Sequence, residues 1–199
     1  MNNKTYLFLG ALIMGMAFPP LWAQEAEAAK LAASLNALKA GSAVAEGGTV
    51  RLSSEVQLNK SLAVPSGVTL DITAEGASLR LESGAKLTVN GAVIARGHGD
   101  FGKGWVNGGL RVDGGPALIS GSGTINLASK GSLLNIHKGS KKFTLDGVTL
   151  VGIKDNDRSL VQVNGGSFIL KSGRVTGNAR TGEKWADGGG VNVWKASSP

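Results

Sequence analysis

The feature that most constrains this chain is a series of short segments in which apolar and polar residues alternate. From Gly47 onward such segments occupy residues 49–52, 61–64, 68–72, 77–81 and 86–89, and glycines separate several of them. Alternation with period two is the pattern of a half-buried β-strand, and glycine-rich connections are typical of tight turns. With 31 glycines in 199 residues, the sequence predicts many short strands joined by sharp turns.

Several of these segments also resemble one another at regular distances. SLAVPSGVTLDI (61–72) aligns with SLRLESGAKLTV (78–89) at an offset of 17, GGTVRL (47–52) with GVTLDI (67–72) at 20, and SLLNIHKGS (132–140) with SLVQVNGGS (159–167) at 27. Such repeats without intervening helices are typical of a β-solenoid, whose coils pair strand to strand about 4.8 Å apart. We therefore predict an all-β fold, a parallel β-helix over residues 42–199.

A β-sandwich or closed barrel is the alternative architecture. Asn90-Gly91 and Asp146-Gly147 are dipeptides that two-residue hairpin loops prefer, and hairpins are common in those folds. The internal repeats favour the solenoid, because a sandwich needs no self-similarity between its strands. In a solenoid, four asparagines are candidates for stacked amide ladders: Asn126, Asn135, Asn164 and Asn178.

The N-terminus has the pattern of a secretory signal peptide. Lys4 precedes an apolar run from Leu7 to Phe18, Pro19 and Pro20 follow it, and Ala23 is a small residue suited to cleavage. The run is short for a bilayer span, so we predict a signal peptide over residues 1–23 and export, with a retained anchor as the alternative. The mature chain has no other apolar stretch long enough to cross a membrane, and without cysteine it forms no disulfides.

Residues 25–40 differ from the rest because they contain no glycine and no β-branched residue. Leu31, Leu35 and Leu38 are spaced as one helical stripe, and Gly41 stands where a helix C-terminal glycine would. We predict an amphipathic helix over residues 24–41. It would cap the first coil, whose apolar core and strand edges would otherwise be exposed.

Several sequence segments together resemble a known architecture. The helix followed by GGTVRL, the turn PSGVTLDI (65–72), SGRVTGN (172–178) and DGGGVNV (187–193) resemble repeats of right-handed parallel β-helices. Such repeats occur in pectate-lyase-like folds and in bacterial surface proteins and adhesins, and the resemblance covers residues 25–195. It implies a right-handed solenoid, secreted or on the outer cell surface. Because more coils usually follow GGGV in such proteins, it also implies a solenoid shortened at its C-terminal end.

Charge and tryptophan indicate a glycan partner. The formal net charge of +7 favours anionic partners, so we expect acidic polysaccharide or a cell-surface glycan, and no nucleic acid. Ordinary solubility is the alternative role of this charge. Trp105 and Trp185 could stack on sugar rings, and Lys103 and Lys184 stand beside them in sequence. Packing of loops against the coils is the alternative role for both tryptophans. We therefore predict a non-catalytic module for adhesion or glycan contact.

Enzymatic readings have weaker support in the sequence. Gly97-His98-Gly99 belongs to a GxGxxG match with no helix after it, so we expect a loop. Polygalacturonases carry a similar GHG element, but their paired aspartate motifs are absent, and no acid pair is apparent upstream. Asp155, Asp157 and Arg158 are similar to the acidic and basic groups of lyases on this fold, with a polar turn as the alternative. Accordingly, we expect no catalytic residue, metal ion or cofactor, with a polysaccharide lyase or hydrolase, or its remnant, as the alternative function.

Overall fold

The computed structural model describes residues 20–100, 105–136, 142–181 and 189–193. One helix, α1 (Leu21–Asn36), is followed in these ranges by short strands. In chain order the strands are β1 (Ala43–Glu46), β2 (Thr49–Leu52), β3 (Glu55–Leu58), β4 (Ser61–Val64), β5 (Thr69–Ile72), β6 (Ser78–Leu81), β7 (Lys86–Val89), β8 (Ala92–Ala95), β9 (Gly99–Asp100), β10 (Trp105–Val106), β11 (Leu110–Val112), β12 (Ala117–Ser120), β13 (Thr124–Leu127), β14 (Leu134–Ile136), β15 (Phe143–Asp146), β16 (Thr149–Val151), β17 (Val161–Val163), β18 (Phe168–Leu170), β19 (Arg174–Thr176) and β20 (Val191–Val193).

The strands form three largely parallel sheets that the chain visits in rotation. Sheet A has the order β1-β2-β5-β8-β13-β16-β19, sheet B the order β3-β6-β11-β14-β17-β20, and sheet C the order β4-β7-β12-β15-β18. Within the described residues, only the pairs β1–β2 and β9–β10 are antiparallel. The protein is thus mostly β, with parallel sheets stacked in succession and one short helix at the N-terminus, an arrangement consistent with a β-helix-like solenoid.

Apolar side chains alternate into one continuous core between the sheets. In β5, for example, Leu70 and Ile72 are fully buried, whereas Thr69 and Asp71, which alternate with them, are partly exposed. The same alternation recurs along the coils, so that each buried side chain stacks on its equivalent in the next coil, as Leu70 does on Val93. The predicted inward stacking of apolar residues is therefore confirmed.

Two of the three repeat offsets match the strand pairing. Thr49 pairs with Thr69, an offset of 20, and Ile136 pairs with Val163, an offset of 27. The offset of 17 is wrong as a stacking register, because Ser61 pairs with Lys86 and not with the serine at position 78. Residues 61–72 and 78–89 are both strand–turn–strand units, but they occupy different corners of the coil, so their similarity reflects a shared turn shape.

The corner between sheets C and A is the tightest. Asn90-Gly91 and Asp146-Gly147 join strands of these two sheets and do not form hairpins. A Cβ added at Gly91 would lie 2.1 Å from the Val68 carbonyl oxygen, which is inside van der Waals contact. Glycine is needed there because successive coils bring their backbones together at this corner.

The corner between sheets A and B contains the longest connections, which are joined by polar side chains. His98 is buried, accepts a hydrogen bond from the Gly108 N–H at Nδ1 (2.9 Å), and donates from Nε2 to the Leu110 carbonyl (2.5 Å). Two coils further, Asn156 is also buried and binds both the N–H and the carbonyl of Gly131 in the coil between them, each at 2.8 Å. These side chains bind backbone groups in and beside the connections, and each of them is itself hydrogen-bonded, as buried polar groups generally are.

The asparagine ladder occurs in part. Asn164 donates to Asn135 at 2.7 Å, and Asn156 donates to Asn178 at 2.8 Å. The amide of Asn126 instead binds Thr124 and a backbone carbonyl. Amide pairs thus link neighbouring coils, but they do not form one continuous ladder.

Helix α1 starts and ends about four residues earlier than the 25–40 pattern indicates. It begins after Pro20, which lacks a helical conformation, and ends at Asn36, whose amide binds the backbone of Ala43 at the start of β1. Its buried residues are Ala28, Leu31, Ala32 and Leu35, and the helix contacts β1, β2 and β4. Leu38 of the predicted stripe lies beyond the end of the helix and is only partly buried. No helix in the described ranges has the length and apolar character needed to span a bilayer.

Candidate functional site

Each strand of sheet B places one polar residue on the outer side of the sheet. These residues are in register from strand to strand, so they form a row whose members are about 4.8 Å apart. We call them the sheet B row: Gln57, Arg80, Arg111, Asn135, Gln162 and Asn192. Asn135 is fully buried, whereas the other five side chains are at least partly exposed. Guanidinium and amide groups are planar donors suited to hydroxyl and carboxylate ligands.

At one end of the row an ion-pair network joins three coils. Asp113 lies 2.8 Å from both Arg80 and Arg111, Glu82 lies 2.6 Å from Arg80, and Glu55 lies 3.3 Å from Arg111. The side chains of Arg111 and Asp113 are only 15% and 13% exposed. The network therefore orients the two guanidinium groups and restricts how these coils can slide past one another.

Two of the carboxylates upstream of His98 line one cavity, although the sequence shows no paired acid motif there. Glu55 and Glu75 line one cavity of about 390 Å³ at the edge of sheet B, together with Gly76, Ala77, Ser78, Arg96 and Asn107. The two glutamates are 20 positions apart and belong to different coils, so no local motif contains them. The strand register between β3 and β6 brings their segments together.

The cavity contains both hydrogen-bond donors and acceptors. Arg96 donates to the Asn107 carbonyl at 3.2 Å, which ties the end of β8 to the connection before β11. Ser78 donates to Glu55 at 3.2 Å. Carboxylates, a guanidinium and a hydroxyl in one cavity match the mixed donor and acceptor character of a sugar. General acid catalysis on glycans needs a carboxyl group in apolar surroundings, whereas Glu55 contacts arginines and Glu75 is exposed.

One predicted glycan-contact residue lies close to this cavity in the chain. The backbone of Trp105 belongs to β10, which pairs with β9 in the hairpin between β8 and β11. Asn107, two residues later, lines the cavity. The structure describes only the backbone of Trp105, and Lys103, Lys184 and Trp185 lie outside the described residues.

The residues of the predicted acidic cluster lie at the corner between sheets A and B. Asp155 is exposed and accepts hydrogen bonds from Thr181 (2.5 Å) and Lys130 (3.0 Å), which lower the pKa of its carboxyl group below the ordinary value. The Asp157 N–H binds the side chain of Asn156, and the Asn178 amide binds the Arg158 carbonyl. These contacts are those of the polar turn that was the alternative interpretation. In the ranges that the structure describes, no three acidic or histidine side chains form a metal-binding group.

The GxGxxG match begins in this same corner. A Cβ added at Gly97 would lie 2.3 Å from the Lys130 carbonyl oxygen, so glycine is needed for the approach of the next coil. The sequence predicts that His98 lies in a loop. In the structure it pairs with Ser132 through an isolated β-bridge. Both residues therefore have a structural explanation.

Comparisons with protein-family models, with curated proteins and with solved structures find no match to this chain. The functional assignment therefore rests on the geometry of the sheet B row and its cavity.

Proposed function

We propose that this chain is an exported right-handed parallel β-helix, capped by α1, that contacts glycans at a cell surface without transforming them. The observation that carries the proposal is the group of exposed polar side chains at the β3 end of the sheet B row, beside a polar cavity. Successive residues of a linear glycan would meet Gln57, Arg80 and Arg111, since these three neighbouring coils offer one amide or guanidinium each at a fixed spacing.

Export is supported by the way α1 begins. If the signal peptide ends at Ala23, cleavage removes the first three residues of the helix. Leu21 and Trp22 are 65% and 73% exposed, so their removal takes no side chain from the core, whereas the buried stripe begins at Ala28. The mature helix would keep every apolar contact that covers the first coil.

A second candidate function follows from the two carboxylates in the cavity. Glycoside hydrolases use a pair of carboxylates that face one sugar, and Glu55 and Glu75 line the same space. A polysaccharide hydrolase or lyase, or a remnant of one, would use this cavity for chemistry rather than for adhesion.

The test is to measure binding of residues 24–199 to immobilised neutral and acidic glycans while the soluble phase is analysed for shortened or unsaturated products. Arg96→Ala and Glu75→Gln change the cavity, and Thr69→Ala on the outer face of sheet A is the matched control. We expect each cavity variant to lose about tenfold in affinity, which is about 1.4 kcal/mol, and the control to bind like the parent chain. Saturable binding without products supports adhesion. Products that disappear in Glu75→Gln would establish the enzyme instead, and a folded chain that binds no glycan would refute both.

A further inference from the structure

The outer face of sheet C has a groove that is separate from the site on sheet B. Its volume is about 370 Å³, within the range of small-ligand sites. The groove is lined by Gly84, Ala85, Lys86, Pro116, Ala117, Leu118, Lys142, Thr144, Asp146 and Lys171. These residues come from β7, β12 and β15, which are neighbours in sheet C, and from the chain beside them.

The floor of the groove is apolar where the alternating pattern would place a polar residue. Leu118 is in register with Lys86 on one side and with Thr144 on the other, so all three point outward. Pro116 extends this apolar surface beyond the start of β12. An aliphatic floor beside a hydroxyl suits the C–H face and the hydroxyl groups of a sugar ring.

Three lysines surround this floor, and only one of them is neutralised. Lys171 lies 2.8 Å from Asp146, and this pairing raises the pKa of the lysine and lowers that of the aspartate. Within the described residues, Lys86 and Lys142 have no ion pair. The groove therefore has an excess of positive charge at its open side, next to the apolar floor.

The two uncompensated lysines are spaced along the coil axis. Lys86 begins β7 and Lys142 precedes β15, and one strand, β12, separates these two strands. Two strand spacings amount to about 10 Å, and Lys142 lies two residues before Thr144, the residue of β15 that is in register with Lys86. A ligand with anionic groups repeated along a chain can contact both ammonium groups while its ring lies on Leu118.

We infer that this groove binds the sulfate or carboxylate groups of an acidic polysaccharide. The inference rests on the proposed function, and it adds the chemical class of the glycan and a second contact face. Lysine recognises such groups as a point charge, with little demand on geometry. The apolar floor, flanked by lysines in a concave site, favours a polysaccharide chain over a flat lipid surface.

The experiment measures binding of residues 24–199 to dextran sulfate, polygalacturonate and uncharged dextran, and to vesicles containing phosphatidylserine. The double variant Lys86→Gln/Lys142→Gln removes the uncompensated charges. Lys154→Gln/Arg174→Gln removes two exposed charges elsewhere and is the matched control for net charge. Circular dichroism of each variant checks that the fold is retained.

We expect the lysine pair variant to lose about tenfold or more in affinity for at least one of the two acidic polysaccharides, and the control to lose much less. Equal losses in both variants would overturn the inference, because net charge would then explain the binding. So would lysine-dependent binding to vesicles alone. If polysaccharides bind equally well to the lysine pair variant, the groove is not the binding site, although the proposed glycan contact stands. If no polysaccharide binds the parent chain, the proposed function itself is refuted.

Discussion

At the scale of single residues, buried amides hold the irregular corner of this protein together. The side-chain oxygen of Asn156 accepts from the N–H groups of Gly131 and Asp157, and its amide nitrogen donates to Gly131 and Asn178, all at 2.8 or 2.9 Å. Every polar atom of this side chain is therefore paired inside the protein. A buried amide of this kind adds to the isolated β-bridges by which the corner is paired.

Replacing Asn156 should therefore destabilise the fold. Asn156→Ala leaves the Gly131 N–H and carbonyl without their partner, which we expect to lower the free energy of unfolding by about 1–3 kcal/mol. Asn156→Asp should cost more, because it places an acceptor against the Gly131 carbonyl. Urea denaturation measures the change, with the exposed Asn59→Ala as the control. Equal stability of Asn156→Ala and the control would contradict this role.

Gly91 tests the close approach of coils at the corner between sheets C and A. Its added Cβ would lie 2.1 Å from Val68 O and 2.2 Å from Pro65 O, and backbone atoms cannot move aside as a flexible side chain can. We expect Gly91→Ala to cost about 3 kcal/mol. Gly190→Ala, where no atom lies within 4 Å, should change stability little. Thermal unfolding of the two variants distinguishes them, and similar melting temperatures would refute the steric argument.

At the scale of elements, α1 is held by its packing and not by strong helix ends. It has no side-chain N-cap and no acidic residue in its first turn, so the buried stripe supplies its stability. Cationic and anionic side chains lie on the exposed side, as in the Glu27–Lys30 pair. The helix thus exists because the first coil provides an apolar surface for it.

Truncating one residue of the stripe tests this dependence. Leu35 is fully buried against the core, and Leu35→Ala should lower the free energy of unfolding by about 2–5 kcal/mol. Glu25→Ala removes an exposed side chain from the same helix and should be close to neutral. The helical signal in circular dichroism and the denaturation midpoint report the difference. A larger loss in Glu25→Ala would overturn the packing argument.

The sequence predicts the strands better than any other element, but it predicts poorly which residues of neighbouring strands pair. Period two identifies the inward and outward residues of each strand from local sequence alone. Register depends on the length of the connections, and these differ from coil to coil. Gln57 pairs with Arg80, 23 residues later, whereas Arg80 pairs with Arg111, 31 residues later, because a hairpin is inserted between β8 and β11. A single repeat length cannot predict such neighbours.

At the scale of the whole molecule, the core is covered unequally along its length. Leu145 is fully buried, but its equivalent Leu170 in the next coil is 45% exposed. Val163 and Val193 show the same change, from 1% to 68% exposed. The first coil, by contrast, is covered by α1. Apolar contacts therefore decrease toward β18, β19 and β20.

This asymmetry predicts unequal protection from hydrogen exchange. In a solenoid each coil is stabilised by its neighbours, so coils with fewer contacts open more often. We expect the amides of β18 and β19 to exchange faster than those of β5 and β6 by about tenfold or more, a difference of about 1.4 kcal/mol in opening free energy. Mass spectrometry of exchanged peptides measures this. Uniform protection along the chain would show that opening is global.

The sequence by itself determined the strands, the inward-facing residues, the buried face of the helix and two of the repeat offsets, because each follows from local periodicity or self-similarity. Only the tertiary structure decided which polar side chains meet. Glu55, Arg80 and Asp113 come from three coils, and Lys86 and Lys142 from coils two strands apart. Side chains of adjacent coils contact one another laterally. The number of residues that separates them in the sequence varies with the length of each connection. The candidate sites are therefore set by how the coils stack, which is a property of the folded molecule.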